Sequence, residues 1–385
     1  MNKFKKIIST LLVFTLVLSM TLVTGCNKKD ATKADGNDNS KKLALTVGDS
    51  KVYLDEMMYY IFMNEYQLDQ YDKMYQAYMG TSYWDMEYSE GVTMREFAKT
   101  STMDMVIQYE ILYAEALKAK YELTDEEKTT VDTNVDQFMQ VVTKDQLKLT
   151  GLTKETAKKV VEKLTLTSRY IQDMIDGFDI DDAAIKATVK KEDYRQYDTQ
   201  ALFIATTTAD AEGKSKDMTD KEKADAKKKI EALLDKAKAG DEFEKLVEGN
   251  EAVTYQDNNF VVGNGTVSEE YEKVAVKLKN DEVTDIIENK DGYYIIKMVN
   301  NNSDESYDAA VKEAIGAEEQ KQFQAEYEKI KATYKTEIND KVWDKIVMGE
   351  TTLIPEKATD ESAAPDTTTD DTAKDTDAAT DKKAE

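Results

Sequence analysis

The sequence predicts an α+β protein: mostly helical, with a later segment in which short strands alternate with capped helices. Three observations carry this. Apolar residues recur at spacings of three and four from Leu54 to about Ile175, the period of a helix with one buried face. From about Tyr197 the pattern breaks into short apolar runs separated by helix-starting motifs. After Asn300 the helical period returns. About 300 residues lie between Leu43 and Gly349, enough for two domains.

Taken in order, Ala44–Asp49 and Val52–Met57 read as a short hairpin running into a helix. Met103, Val106, Ile107, Ile111 and Ala114 form one helical stripe. Thr124-Asp125-Glu126-Glu127 is a capping box, because a threonine and a glutamate three residues later can satisfy each other's free backbone N–H. The helix it opens places Val131, Val135 and Phe138 inward, and another from about Thr153 buries Val160, Val161, Leu164 and Ile171. Ala201–Ala205 is an apolar strand. Thr219–Glu222 caps a helix with Ala226, Ile230, Leu233 and Ala237 on one face, and Gly240 stops it. Asp241–Glu244 opens a short helix, Phe260-Val261-Val262 reads as a second strand, Ser268 caps a helix through Leu278, and Tyr293–Val299 is the last strand. The order in this segment is β-α-α-β-α-β. Ala317–Tyr334 is a charged amphipathic helix.

Residues 53–88 are crowded with Tyr and Met. One helical stripe cannot bury them all, because the run is apolar on more than one face. A helical core with partly exposed tyrosines and an adaptable partner-binding surface are both compatible with it.

The ends have a different character. Lys3, Lys5 and Lys6 precede an apolar stretch, Ile7 to Val23, as in a secretory signal over residues 1–25. Val23-Thr24-Gly25-Cys26 resembles a lipobox, so Cys26 is the expected lipidation site; an uncleaved single-pass anchor is the alternative. Two acyl chains suffice for stable anchoring, which places the protein outside the cytoplasm, on the outer face of a bacterial membrane. Residues 26–42 read as a polar tether and residues 351–385 as an acidic, solvated extension. Both prolines, Pro355 and Pro365, lie in that extension.

Composition excludes whole classes of chemistry. The 385 residues contain no histidine and one cysteine. No Ser-His-Asp or Cys-His arrangement, imidazole metal site or intrachain disulfide is possible. No calcium-loop or phosphate-loop motif is present, and no cofactor or metal is expected. A net charge of −25 repels nucleic acid and anionic surfaces.

Gly292-Tyr293-Tyr294-Ile295-Ile296-Lys297 resembles the closing Gly-Tyr-His-Ile-Ile run of parvulin-type peptidyl-prolyl isomerases. The likeness is most specific from Val267 to Lys297 and covers about 100 residues. Val267-x-x-x-Tyr271-x-x-Val274-Ala275 is similar to the family's Met-x-x-x-Phe-x-x-Ala pattern, and Asp281–Ile286 to its Gly-Glu-Val-Ser-Asp-Pro. Two features depart from the family. The strand expected to begin His-Ile-Leu has Ala201 or Leu202 at the histidine, and the glycine-rich loop has become Gln256–Val261. The opening hairpin and Glu337–Trp343 resemble the start and close of SurA-like and PrsA-like foldases.

The resemblance implies an isomerase domain at 196–300, inserted in a helical chaperone domain built from residues 43–195 and 301–350. It implies a peptide pocket lined by Val267, Tyr271, Phe260 and Val261, with Tyr294 at the position of a catalytic histidine. Unfolded or newly exported proteins would be the partners. The expected function is therefore that of a lipid-anchored foldase with a degenerate isomerase domain. An active isomerase and a lipid-anchored solute receptor are the alternatives, the last requiring parallel sheets.

Overall fold

The computed structural model describes residues 39–209 and 215–354. The signal, Cys26, most of the tether, Pro355, Pro365 and the acidic extension lie outside the described residues. The described residues divide into two compact units, residues 39–168 with 334–354, and a second within residues 169–333. The second is thus inserted in the first.

In the first unit, β1 (Leu43–Val47) and β2 (Ser50–Tyr53) form the expected hairpin. Four helices of at least seven residues follow. These are α1 (Leu54–Met79), α2 (Met94–Lys118), α3 (Asp125–Val141) and α4 (Lys144–Thr150). A fifth, α5, spans Lys154–Asp176 and runs across the 168/169 division into the second unit. The helical run is broken once by a hairpin of β3 (Glu87–Ser89) and β4 (Val92–Thr93), whose Thr93 begins a capping box with Glu96. Thr124 and Glu127 form the box the sequence predicts. No described helix is long and apolar enough to cross a membrane.

The C-terminal segment closes this unit in a way the sequence does not suggest. Thr336–Ile338, expected to belong to a helix, is instead a strand that pairs antiparallel with β1, Leu45 opposite Ile338. Asn339 donates from Nδ2 to the Leu43 carbonyl at 2.8 Å. The remaining residues wrap Glu65 of α1, which is fully buried. Its carboxylate accepts from the Gly349 N–H at 2.7 Å, the Thr351 N–H at 3.1 Å and the Thr352 N–H at 2.7 Å, and from the Thr352 hydroxyl. Burial pushes this carboxyl above its ordinary range, although the donors pull the other way. Gly349 has φ +87°, and a Cβ there would lie 2.7 Å from the Trp84 ring, so only glycine fits.

α1 has two halves. Met57 to Phe62 are buried, with Phe62 and Tyr59 packed on Phe138 of α3 at ring distances of 5.5 and 4.6 Å. From Tyr66 onward the helix is mostly exposed, and Tyr71, Met74 and Tyr78 form one outward stripe, Tyr78 being 84% accessible. The Tyr/Met-rich run is therefore core for its first turns and solvent-facing for the rest.

In the second unit, β5 (Gln196–Ala205) is the long central strand. The antiparallel sheet it organises has the order β8-β5-β10-β9, where β8 is Thr254–Val261, β9 Ile287–Glu288 and β10 Gly292–Ser303. β8 starts six residues before the expected strand, in the polar stretch Thr254–Asn259. The stretch after β5 holds an unforeseen hairpin of β6 (Thr207–Ala209) and β7 (Ser215–Asp217). The two faces of the sheet carry separate cores. α7 (Asp220–Ala239) and α8 (Phe243–Leu246) bury Ile230, Leu233 and Phe243 against Leu202, Ile204 and Ile295. α9 (Glu269–Ala275) covers the other face.

The contacts divide the chain at 168/169 and 333/334, whereas the sequence reading places boundaries at 195/196 and 300/301. α10 (Glu305–Lys331) groups with the second unit for an identifiable reason. Lys191 pairs with Asp304 at 2.6 Å just before this helix, and the Lys186 and Lys191 ammonium groups lie 5.7 Å from the Tyr307 ring. Lys186 belongs to α6 (Asp182–Thr188), so a short helix before the sheet segment and the long α10 after it are joined by charge–ring contacts.

Candidate active site in the inserted unit

Strand alternation decides which side chains meet. On β10, Tyr293 and Ile295 face α7, while Tyr294, Ile296 and Met298 face α9. On β5 the α9 face receives Ala201, opposite Ile296, and Leu202 turns to the other core. Of Ala201 and Leu202, Ala201 shares a face with Tyr294.

Four of the expected site residues come together in one cluster. Tyr271 of α9 is buried, with its ring edge-on to Tyr294 at 5.6 Å and to Phe260 at 6.1 Å. Phe260 is buried and stacks on Tyr197 at 5.4 Å. Val267 packs against the same cluster, partly buried. Val261 does not join it: as the residue after Phe260 on β8 it points to the opposite side and belongs to neither core cluster.

The polar groups among these rings were not foreseen. The Tyr271 hydroxyl lies 2.8 Å from Thr199 Oγ1 and accepts from Asn258 Nδ2 at 3.3 Å, while Thr199 bonds the Asn258 carbonyl at 2.7 Å. Asn289 organises the entry to β10. Its Oδ1 accepts from the Asp291 and Gly292 N–H groups at 2.9 and 3.0 Å, and its Nδ2 donates to Ser268 Oγ at 3.3 Å. Ser268 in turn accepts from the Tyr271 N–H, capping α9 as its sequence suggests. Thr199, Asn258 and Asn289 become visible only once register places three strands and a turn side by side. The one sequence signal was Thr199 itself, two residues before Ala201 and hence on its face.

Tyr294 is half-buried, tilted against Phe203 at 4.5 Å. Burial pushes its phenol above the ordinary tyrosine range, and the Asn289 amide partly offsets this. Burial likewise raises Tyr271, against hydrogen bonds from Thr199 and Asn258. Both phenols therefore stay neutral throughout the physiological range. The site offers hydroxyl and amide donors on an apolar floor, with the Asp291 carboxylate acting on Tyr294 from the turn before β10. Among the described residues, no three His, Cys, Asp or Glu side chains are grouped to hold a metal.

Residues 213–300 match the PPIC-type PPIASE domain of the rotamase family. The matched span includes β8, α9 and most of β10 but begins after β5, the strand that carries Ala201 and Leu202. No curated protein matches the chain. Among solved structures it is similar to PrsA from Bacillus subtilis, with 19% identity over 62% of this chain and 85% of that one, at a TM-score of 0.24. It is also similar to the foldase protein PrsA from Lactococcus lactis, with 18% identity over 79% and 97%, at a TM-score of 0.31. A third likeness is to the SurA-like chaperones PEB4 and Cj1289 of Campylobacter jejuni, with 10% identity over 78% and 99%, at 0.30. The rotamase domain itself, rather than these low-scoring likenesses, carries the functional reading.

Proposed function

We propose that the protein is a membrane-anchored extracytoplasmic foldase whose rotamase domain retains little or no isomerase activity. The observation that carries the reading is the cluster around Tyr294. The family resemblance implies histidines at Tyr294 and at Ala201 or Leu202, of which Ala201 shares the Tyr294 face, and Phe260 and Tyr271 are packed into the core rather than lining an open pocket. Twisting a prolyl bond through its barrier of about 20 kcal/mol needs a desolvated cleft with aimed donors. Here Tyr294, Val267, Phe203, Asn258, Ser268 and Asn289 retain partial exposure and can meet a peptide.

Client holding would then rest on the helical unit. The outward stripe of Tyr71, Met74 and Tyr78 offers amphipathic rings and a flexible thioether to unfolded exported chains. A solute receptor is disfavoured because every described strand pair is antiparallel. A protease-coupled prolyl isomerisation assay, run beside an aggregation-suppression assay, tests the proposal. The expected rate is at least ~100-fold below that of a histidine-bearing parvulin, the effect of losing one preorganised donor. Any residual rate should be flat between about pH 5 and 8, since no imidazole titrates there. A parvulin-like rate abolished by Tyr294→Phe, which preserves the ring packing, would instead make the tyrosine a working catalytic residue.

Anchoring rests on residues 1–26. Protein extracted from the native membrane should have the intact mass of a chain beginning at Cys26 with a diacyl adduct. Recovery of soluble protein with an unmodified Cys26 would refute it.

A further inference from the structure

The first unit contains a groove of about 340 Å³ that the foldase reading does not use. Leu54, Met58 and Ile346 contribute an apolar floor, and Lys42, Lys341 and Lys345 contribute three ammonium groups around it. The single acid in the lining, Glu350, is already paired with Arg95 at 3.2 Å. Lys42 donates to a neutral partner, Asn39 Oδ1, at 2.9 Å. Among the described residues, neither Lys341 nor Lys345 pairs with a carboxylate. In a chain of net charge −25, three clustered cations over an apolar floor form a site for an acidic segment with small apolar residues.

Such a segment is attached to the rim. Thr351 lines the groove, and the described chain ends three residues later at Ile354. Residues 355–385 hold ten acidic residues against four lysines. Glu361 and Asp366 bracket Ser362-Ala363-Ala364-Pro365, so two carboxylates flank small apolar side chains. From residue 361 to 366 an extended chain spans roughly 17 Å, enough to place both acids on separate lysines. Composition alone reads this extension as solvated. Tethering changes the balance, because a linked segment is present at millimolar effective concentration. Exposed ion pairs worth about 0.2–1 kcal/mol each then suffice in combination.

We propose that the acidic segment 355–385 folds back and occupies this groove, held by Lys42, Lys341 and Lys345 and released by salt. The full mature protein serves for the test, with acetylation rates of individual lysines read by mass spectrometry. The comparison is a chain carrying Glu361→Gln, Asp366→Asn, Asp370→Asn and Asp371→Asn. At low salt, Lys341 and Lys345 should react roughly threefold or more slowly in the wild type than in this variant, with exposed Lys221 unchanged in both. At about 1 M salt, where screening extends only about 3 Å, the difference should vanish. Equal rates in the two proteins at low salt would overturn the proposal. So would protection that appears only on adding phosphatidylglycerol vesicles and is the same in both, because the occupant would then be the membrane surface.

Discussion

Gly292→Ala should unfold the rotamase domain selectively, by about 3 kcal/mol, near the upper end for overpacking a tight site. Gly292 opens β10 directly opposite Ala205 of β5. A Cβ there would penetrate the Ile204 carbonyl oxygen and lie 2.5 Å from the Phe203 ring. The first obstacle is backbone in the central strand pair and cannot swing aside. The second is the ring that supports Tyr294. The turn held by Asn289 would shift with it, because the Gly292 N–H and carbonyl both bond that residue at 3.0 Å. The two units allow a clean readout. Both tryptophans of the chain, Trp84 and Trp343, are buried in the first unit, so their fluorescence follows that unit alone. The tryptophan transition should stay in place while far-UV dichroism acquires an earlier one. If the dichroism transition moves by less than about 0.5 kcal/mol, the strand pair relaxes more easily than its geometry implies.

Lys163→Met should destabilise the first unit by roughly 3–5 kcal/mol, the cost of stranding buried carboxylates. The Lys163 ammonium lies 2.6 Å from Glu110 Oε1 and 3.1 Å from Glu56 Oε2, and the three side chains are between 2% and 10% exposed. Glu56 keeps a second partner, the half-exposed Lys159 at 2.7 Å. Glu110 would keep only the Ser50 hydroxyl at 2.7 Å. The tryptophan transition in urea should therefore move to lower denaturant. Adding Glu110→Met should recover much of the loss, since a buried ion pair replaced by apolar volume is often neutral. A single-variant loss below about 1 kcal/mol would mean that water reaches the network.

The pH dependence of this contribution has a definite sign. Burial alone would lower the Lys163 pKa, but Glu110 and Glu56 outweigh it and leave it above the ordinary 10.5. A raised folded pKa means that the stabilisation is complete below about 10.5 and is lost only as pH rises through the higher folded value. From neutrality upward the gap between wild type and variant should hold and then narrow in strong alkali.

Features set within a few residues were legible in the sequence. The capping boxes at Thr124 and Thr219 and the Ser268 cap formed where the i to i+3 pattern placed them, and Gly240 ends α7 in the left-handed region. Each depends on side chains reaching backbone one turn away. The lack of histidine excluded imidazole chemistry anywhere in the chain before any fold was known. Partners distant in sequence were decided by tertiary structure. Thr336–Ile338 became a strand because β1, almost 300 residues earlier, presented an unpaired edge. Polar Thr254–Asn259 extends β8 because edge position and pairing with β5 outweigh its weak strand propensity. The Tyr/Met run divides at Glu65, since α3 covers Tyr59 and Phe62 while Tyr71, Met74 and Tyr78 face outward. Ala201 rather than Leu202 shares the Tyr294 face because a period of two makes one step of register exchange the faces of the sheet.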